Sequence, residues 1–272
     1  MKINFKKSLI QLLAGTVGFS PFLSIKAETA LDVTWTKLLG TSSSEESYQV
    51  ATASDGSIYI TGFTAGNLDG QTNAGAYDAF LAKYASDGTK TWTKLLGTSS
   101  FDFSYGVATA SDGSVYITGY TSGDLDGETN AGSNDVFLAK YGSDGTKAWT
   151  KLNGTSTLDI GYGVATASDG SVYITGYTRG NLDGETNAGF YDAFLAKYGL
   201  DGTKVWTKLL GSSSSDKGYG LATASDGSVY ITGYTEGNLD GETNAGNRDC
   251  LLYTSDAADE GLGVDLGGRR II

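Results

Sequence analysis

The sequence predicts an all-β fold of repeated four-stranded antiparallel sheets, on three observations. A segment opening with tryptophan recurs at Trp35, Trp92, Trp149 and Trp206, at a strict spacing of 57 residues. The copies from Trp92 and Trp149 differ at only 12 of those 57 positions, and a fixed period of this size marks a repeat architecture. Each copy also carries two Asp-Gly corners between runs rich in β-branched and aromatic residues, which are strand and hairpin signals. No helical periodicity intervenes.

The elements follow in order through the copy that begins at Asp102. Residues 105–110 (YGVATA) read as a short strand of small side chains, and Asp112-Gly113 as a hairpin whose two central residues both need φ > 0. Residues 115–121 (VYITGYT) form the second strand. A loop of about a dozen residues from 122 to 134 leads to the third strand, 135–141 (DVFLAKY). The corner at Asp144-Gly145 then turns the chain into the fourth strand, 147–152, which carries Trp149. Four short strands in meander order, repeated, make the blades of a β-propeller. The fourth-strand tryptophan is expected on the outer part of its blade, over a neighbouring sheet. Residues 34–39 read as a fourth strand without the three that should precede it. The chain therefore holds about three full blades (45–97, 102–154 and 159–211) and part of a fourth, an incomplete ring expected to self-associate, because a repeat buries its faces only against its neighbours.

Composition excludes more than it specifies. The 272 residues include no histidine and a single cysteine, Cys250. No Ser-His-Asp triad, Cys-His pair or histidine-ligated zinc site can be built from them. The net charge is -12, and without a Lys/Arg cluster the chain lacks the electrostatic footprint of a nucleic-acid binder.

The two ends read differently from the repeats. Residues 1–27 pair Lys2, Lys6 and Lys7 with an apolar run interrupted by Gly15, Gly18 and Pro21. This is the pattern of a secretory signal peptide, with no transmembrane segment after its removal. Location is then secreted, periplasmic or cell-surface. After Asp249 the repeat should continue as AFLAKY. Instead residues 250–272 resemble the in-frame translation of a sequencing-library adapter, and they are read as a non-native tail outside the fold.

The strings DGSVYITGYT, NAG-x-x-DAFLAKY and SDGTK-x-WTKLLGTS, in fixed order over residues 34–249, resemble the SBBP repeat, a bacterial β-propeller repeat family. The resemblance implies an exported or surface-associated bacterial protein without an assigned enzymatic activity. It brings no catalytic residues with it.

Variation between the copies points to one face. Eight of the 12 differences fall in the link between blades or in the loop between second and third strands, among them Phe101/Leu158, Phe103/Ile160, Ser122/Arg179, Ser133/Phe190 and Asn134/Tyr191. A fixed scaffold with variation gathered on one side is how repeat proteins build a binding surface. Phe101, Phe103, Leu158, Ile160, Arg179, Phe190 and Tyr191 are therefore the candidate ligand-binding residues. Aromatics and arginine are favoured anchors.

The same loop carries an acidic pattern, N/D-x-D-G-E/Q-x-N followed by Asp. Its members are Asn67, Asp69, Gln71, Asn73 and Asp78; Asp124, Asp126, Glu128, Asn130 and Asp135; Asn181, Asp183, Glu185, Asn187 and Asp192; and Asn238, Asp240, Glu242, Asn244 and Asp249. Oxygens at positions 1, 3, 5, 7 and 12 resemble calcium-loop spacing, and calcium is the one cofactor the sequence suggests. The glycine at position 4 and the aspartate at position 12 depart from that pattern. A turn-rich connection in which Asn and Asp cap the backbone is the alternative.

Three functions follow as expectations. The first is a non-enzymatic exported scaffold that binds a glycan or protein through the variable face. The second is a structural surface-layer or spacer repeat. The third, a carboxylate-dependent glycoside-acting enzyme, is disfavoured because the acidic residues recur in every blade whereas catalytic sites are asymmetric.

Overall fold

The structure, a computed structural model, describes residues 33–256. The expected signal peptide (1–27) and residues 257–272 lie outside the described residues. All strands belong to one compact unit that begins at Trp35. The described residues contain fifteen strands and no helix.

Four antiparallel sheets follow one another along the chain. The first contains β1 (Glu45–Thr52), β2 (Ile58–Thr64), β3 (Asp78–Tyr84) and β4 (Lys90–Leu96). The second contains β5 (Asp102–Thr109), β6 (Val115–Thr121), β7 (Asp135–Tyr141) and β8 (Lys147–Asn153). The third contains β9 (Asp159–Thr166), β10 (Val172–Thr178), β11 (Asp192–Tyr198) and β12 (Lys204–Leu210). The last has three strands, β13 (Asp216–Thr223), β14 (Ser228–Thr235) and β15 (Asp249–Asp256). Each sheet is a meander in sequence order. This is the blade pattern of a β-propeller, at the boundaries the repeat implies.

Both faces of a blade are buried, so alternate residues of one strand enter different cores. In β6, Val115 and Ile117 join Tyr59, Ala79 and Leu81 of the first blade. Tyr116, between them, joins Val164, Val172 and Ile174 of the third. The first strands of successive blades lie side by side. Thr109 Oγ1–H donates to the Thr52 carbonyl (2.9 Å), Thr166 to that of Thr109 (3.0 Å) and Thr223 to that of Thr166 (2.9 Å), each one period back. At the outer side the tryptophans of the first two blades dock on the next blade, as the sequence suggests. Trp92 and Trp149 donate their indole N–H to the carbonyls of Ser143 and Leu200.

Four local expectations are corrected. Residues 33–40 form no strand; Trp35 nevertheless docks on the hairpin of the first blade, donating to the Ser86 carbonyl (3.3 Å). Cys250–Asp256, read as outside the fold, pairs with β14 in unbroken register from Thr235↔Asp249 to Ser228↔Asp256. Its Leu251 is buried. The first strand of a blade starts three residues earlier than its small residues suggest, at Asp102 in the second copy. And in the Asp112-Gly113 hairpin only the glycine has φ > 0, at 83°. Gly113 N–H bonds the Ala110 carbonyl and Ala110 N–H the Ser114 carbonyl, the geometry of a type I turn closed by a left-handed glycine. Asp112 is held for another reason: its Oδ1 accepts the Ser114 N–H at 2.8 Å.

A candidate aromatic binding surface

The pairing of first and second strands slips once in every blade. The registers skip Tyr48, Tyr105, Tyr162 and Tyr219. Each is the extra residue of a β-bulge, a device that re-aims a side chain. Opposite each bulge stands a glycine (Gly62, Gly119, Gly176, Gly233), because a Cβ there would lie 1.7–1.8 Å from a carbonyl oxygen of the bulged strand. The four re-aimed tyrosines touch in succession. Ring centroids are 4.8 Å apart for Tyr48–Tyr105, 4.8 Å for Tyr105–Tyr162 and 5.0 Å for Tyr162–Tyr219. They line a cleft of about 420 Å³ with Gln49, Val164 and Leu221.

Further rings extend this core towards the loops between blades. Phe103 stacks on its cross-strand partner Tyr120 (5.2 Å, 14°) and approaches Phe63 (4.6 Å) and Tyr77 (5.3 Å). Phe101, half exposed, stacks on Tyr77 at 5.7 Å. On the other side Tyr162 meets Tyr177 (5.9 Å), Tyr177 meets Tyr191 (5.0 Å), and Tyr191 meets the half-exposed Phe190 (4.5 Å). Tyr219 meets Tyr234 at 5.9 Å. Burial among other rings pushes the hydroxyls of Tyr48 and Tyr120 up to about 12, and raises Tyr105 and Tyr177 as well. All four stay protonated hydrogen-bond donors at neutral pH.

The candidate residues therefore gather at three blade junctions. Short parallel bridges pin the loop of one blade to the link that enters the next: Tyr77↔Phe101, Asn134↔Leu158 and Tyr191↔Ser215. Phe101 and Phe103 sit at the first junction. Leu158, partly buried, and Ile160, buried opposite Tyr177, sit at the second. Arg179, Phe190 and Tyr191 sit at the third, with the Arg179 guanidinium 4.7 Å from the Phe190 ring centre. Phe103 and Ile160 belong to strands rather than loops. Sequence reasoning missed the bulged tyrosines that join the three groups. The available signal was a tyrosine at a fixed place in a strand otherwise made of small residues.

The acidic loops are built differently. Asp69-Gly70, Asp126-Gly127, Asp183-Gly184 and Asp240-Gly241 all have positive φ, near 50° for Asp and 80° for Gly. These are the type I′ turns, with Gln71 N–H donating to the Leu68 carbonyl at 2.9 Å in the first copy. Each of the first three turns drives a leucine (Leu68, Leu125, Leu182) to full burial beside Phe80, Phe137 or Phe194. The first half of the loop therefore lies along the flank of the outer strand, away from the variable face. Asp69, Asp126 and Asp183 bond Lys90 and Thr93, Lys147 and Thr150, and Lys204 and Thr207 of that strand.

Their neighbours are also engaged locally. Asn67, Asp124, Asn181 and Asn238 each accept the backbone N–H six residues on, at 2.8–2.9 Å. Asp78, Asp135, Asp192 and Asp249 each accept the N–H four residues back. Glu128 and Glu185 pair with Lys151 (2.8 Å) and Lys208 (3.6 Å). Glu242 closes its own turn through main-chain bonds with Leu239, next to Asp240. Among the described residues no three carboxylate, histidine or cysteine groups converge as a cation site.

The next blade's first strand opens with another aspartate. Asp102 accepts the N–H (2.6 Å) and Oγ1–H (2.9 Å) of Thr98, and Asp159 and Asp216 repeat this with Thr155 and Ser212. Asp102 donates its own N–H to the carbonyl of Tyr77, next to Asp78. Two fully buried aspartates thus sit at each junction, and Oδ1 of Asp78 has no partner. Burial raises the pKa of Asp78, Asp102, Asp135, Asp159 and Asp192.

Known proteins resemble this chain over much of its length. The chain is 30% identical over 216 residues to "Regulatory protein FlaEY" of Caulobacter vibrioides, covering 68% of this chain and 22% of that protein. It is 21% identical over 263 residues to an uncharacterized WD repeat-containing protein of Acanthamoeba polyphaga mimivirus, covering 76% and 19% respectively. The chain thus spans about a fifth of the length of these relatives. A solved structure of a protein of unknown function from Bacteroides caccae aligns with TM-score 0.42 at 10% identity, over 75% of this chain and 61% of that one. At that score the likeness carries no argument, and the fold rests on the strand pairing above. Residues 91–126 and 205–240 match the β-propeller repeat family SBBP. These two segments, which lie on the 57-residue period of the blades, are SBBP-type β-propeller repeats.

Proposed function

We propose that this chain is a non-enzymatic, exported binding module that holds a glycan across the aromatic surface at its blade junctions. The observation that carries the reading is the contact of four bulged tyrosines from four blades along one cleft. A pyranose presents a C–H face that gains by leaving water against a ring, and hydroxyls at its edge that pair with tyrosine O–H groups. A bulge kept in every blade, at the cost of a mandatory glycine opposite, favours a functional reason for aiming those rings. The buried aspartates support a non-enzymatic reading, since they recur at each junction and are tied to the backbone. The leader-like sequence of residues 1–27 supports an exported location for that binding. A glycan array probed with the full chain tests the proposal. Titration of the strongest hit against Tyr105→Ala should show binding about tenfold weaker or worse in protein that still melts cooperatively. A blank array with folded protein overturns it.

A further inference from the structure

The aromatic surface is not electrically uniform. At the junction of the third and fourth blades Lys217 lies half-buried, its ammonium 3.9 Å from the centre of the Tyr177 ring and 4.5 Å from that of Tyr191. The equivalent positions one, two and three periods earlier are Ile160, Phe103 and Glu46. Arg179 lies on Phe190, whose ring meets Tyr191 in turn. No carboxylate pairs with Lys217 or Arg179 among the described residues. Glu236, whose field reaches Lys217, is already held by Arg248 at 2.8 Å. In a chain of net charge -12, Lys217 and Arg179 thus lie on rings of one connected cluster, Tyr177, Tyr191 and Phe190.

A half-buried ammonium is costly without an anion to complete it, and ring quadrupoles offset that cost only partly. Burial accordingly lowers the pKa of Lys217. A neutral glycan would leave the penalty in place. An acidic one would remove it, with its rings on Tyr177, Tyr191 and Phe190 and its anionic group on Lys217 and Arg179.

We propose that the third junction selects an acidic saccharide, whose carboxylate or sulfate is read by Lys217 and Arg179. The inference rests on the glycan-binding reading above and narrows it to a ligand class.

Calorimetry of the full chain with three probes tests it: an oligogalacturonate, its fully methyl-esterified form and a sulfated oligosaccharide of similar length. The esterified form keeps the sugar rings and removes the charge. At least one acidic probe should bind about tenfold or more tighter than the ester, and the two acidic arms tell carboxylate from sulfate recognition. Lys217→Gln with Arg179→Gln should abolish that preference, bringing the acidic probes down to the affinity of the ester in protein that still melts cooperatively, and Lys217→Arg should retain it. Equal binding of acidic and esterified probes overturns this inference and leaves the glycan reading standing. A preference that survives the double substitution also overturns it. Binding of no saccharide by folded protein overturns both.

Discussion

The indole N–H of Trp92 donates to the carbonyl of Ser143, 51 residues on in the next blade, at 3.3 Å. That bond seats the indole over the neighbouring hairpin, where Gly145 has φ +81° and a Cβ would stand 3.0 Å from the Trp92 rings. The same seat recurs for Trp35 over Gly88 and Trp149 over Gly202. Gly145→Ala should therefore impose backbone strain and push the indole from its acceptor together. We expect a loss of about 2 kcal/mol or more in urea unfolding. An unchanged midpoint would show that the dock contributes nothing to blade cohesion.

Space and torsion separate at two other glycines. A Cβ on Gly119 would lie 1.7 Å from the Phe103 carbonyl oxygen, while one on Gly127 (φ +83°) would meet nothing within 4 Å. Gly127→Ala should cost about 1 kcal/mol, the torsional penalty alone. Gly119→Ala should exceed about 4 kcal/mol or prevent folding, because the bulge must be expelled. Similar losses for both would mean that the bulge relaxes freely, and thermal melts of the two variants decide this.

Stability should peak in mildly acid solution. Asp78, Asp102, Asp135, Asp159 and Asp192 have folded-state pKa values raised by burial. A carboxyl of this kind favours the fold most when protonated, so its contribution is complete below the ordinary aspartate value of 3.8 and is lost as pH rises through the raised value. The turn aspartates Asp55, Asp112 and Asp169 act oppositely. Hydrogen bonds to Ser57, Ser114 and Ser171 hold their pKa below 3.8, against the opposing effect of burial. Their contribution is present above 3.8 and disappears as pH falls through the lowered value. Melting temperature should climb as pH falls through the raised values and drop again below about pH 4. Asp78→Asn should flatten the alkaline limb, and a curve that rises steadily to pH 8 would refute the buried-pair account.

The acidic loops give a metal test. Asp69 is committed to Lys90 and Thr93, and Asn67 to the N–H of Asn73. We expect neither millimolar calcium nor a chelator to move the melting temperature. Asp69→Asn should cost about 1 kcal/mol with or without calcium, through its lost charge-assisted bonds. A calcium-dependent rise in melting temperature, absent from Asp69→Asn, would restore the calcium-loop reading.

The strands were legible because period and corner chemistry act locally. The spacing of Trp35, Trp92, Trp149 and Trp206, with Asp-Gly punctuation, locates second, third and fourth strands almost to the residue. The site was legible only in part. Arg179, Phe190 and Tyr191 declare themselves as differences between copies, whereas Tyr105 is shared by both and carries no such signal. A bulge is a defect in pairing, invisible until the partner strand is known. The acidic loop reads two ways because Leu125-Asp126-Gly127-Glu128 satisfies two templates over several residues. The I′ turn needs only the Asp-Gly pair, and burial of Leu125 fixes its direction.

The threonine ladder along the inner strands has an evolutionary consequence. Thr109, Thr166 and Thr223 each bond the copy of themselves one unit earlier. Any unit can therefore follow any other, with donor and acceptor already matched. Unequal recombination between such similar coding segments would insert or delete whole modules without leaving a mismatched seam. Allelic forms of this locus should differ in length by multiples of 57 codons.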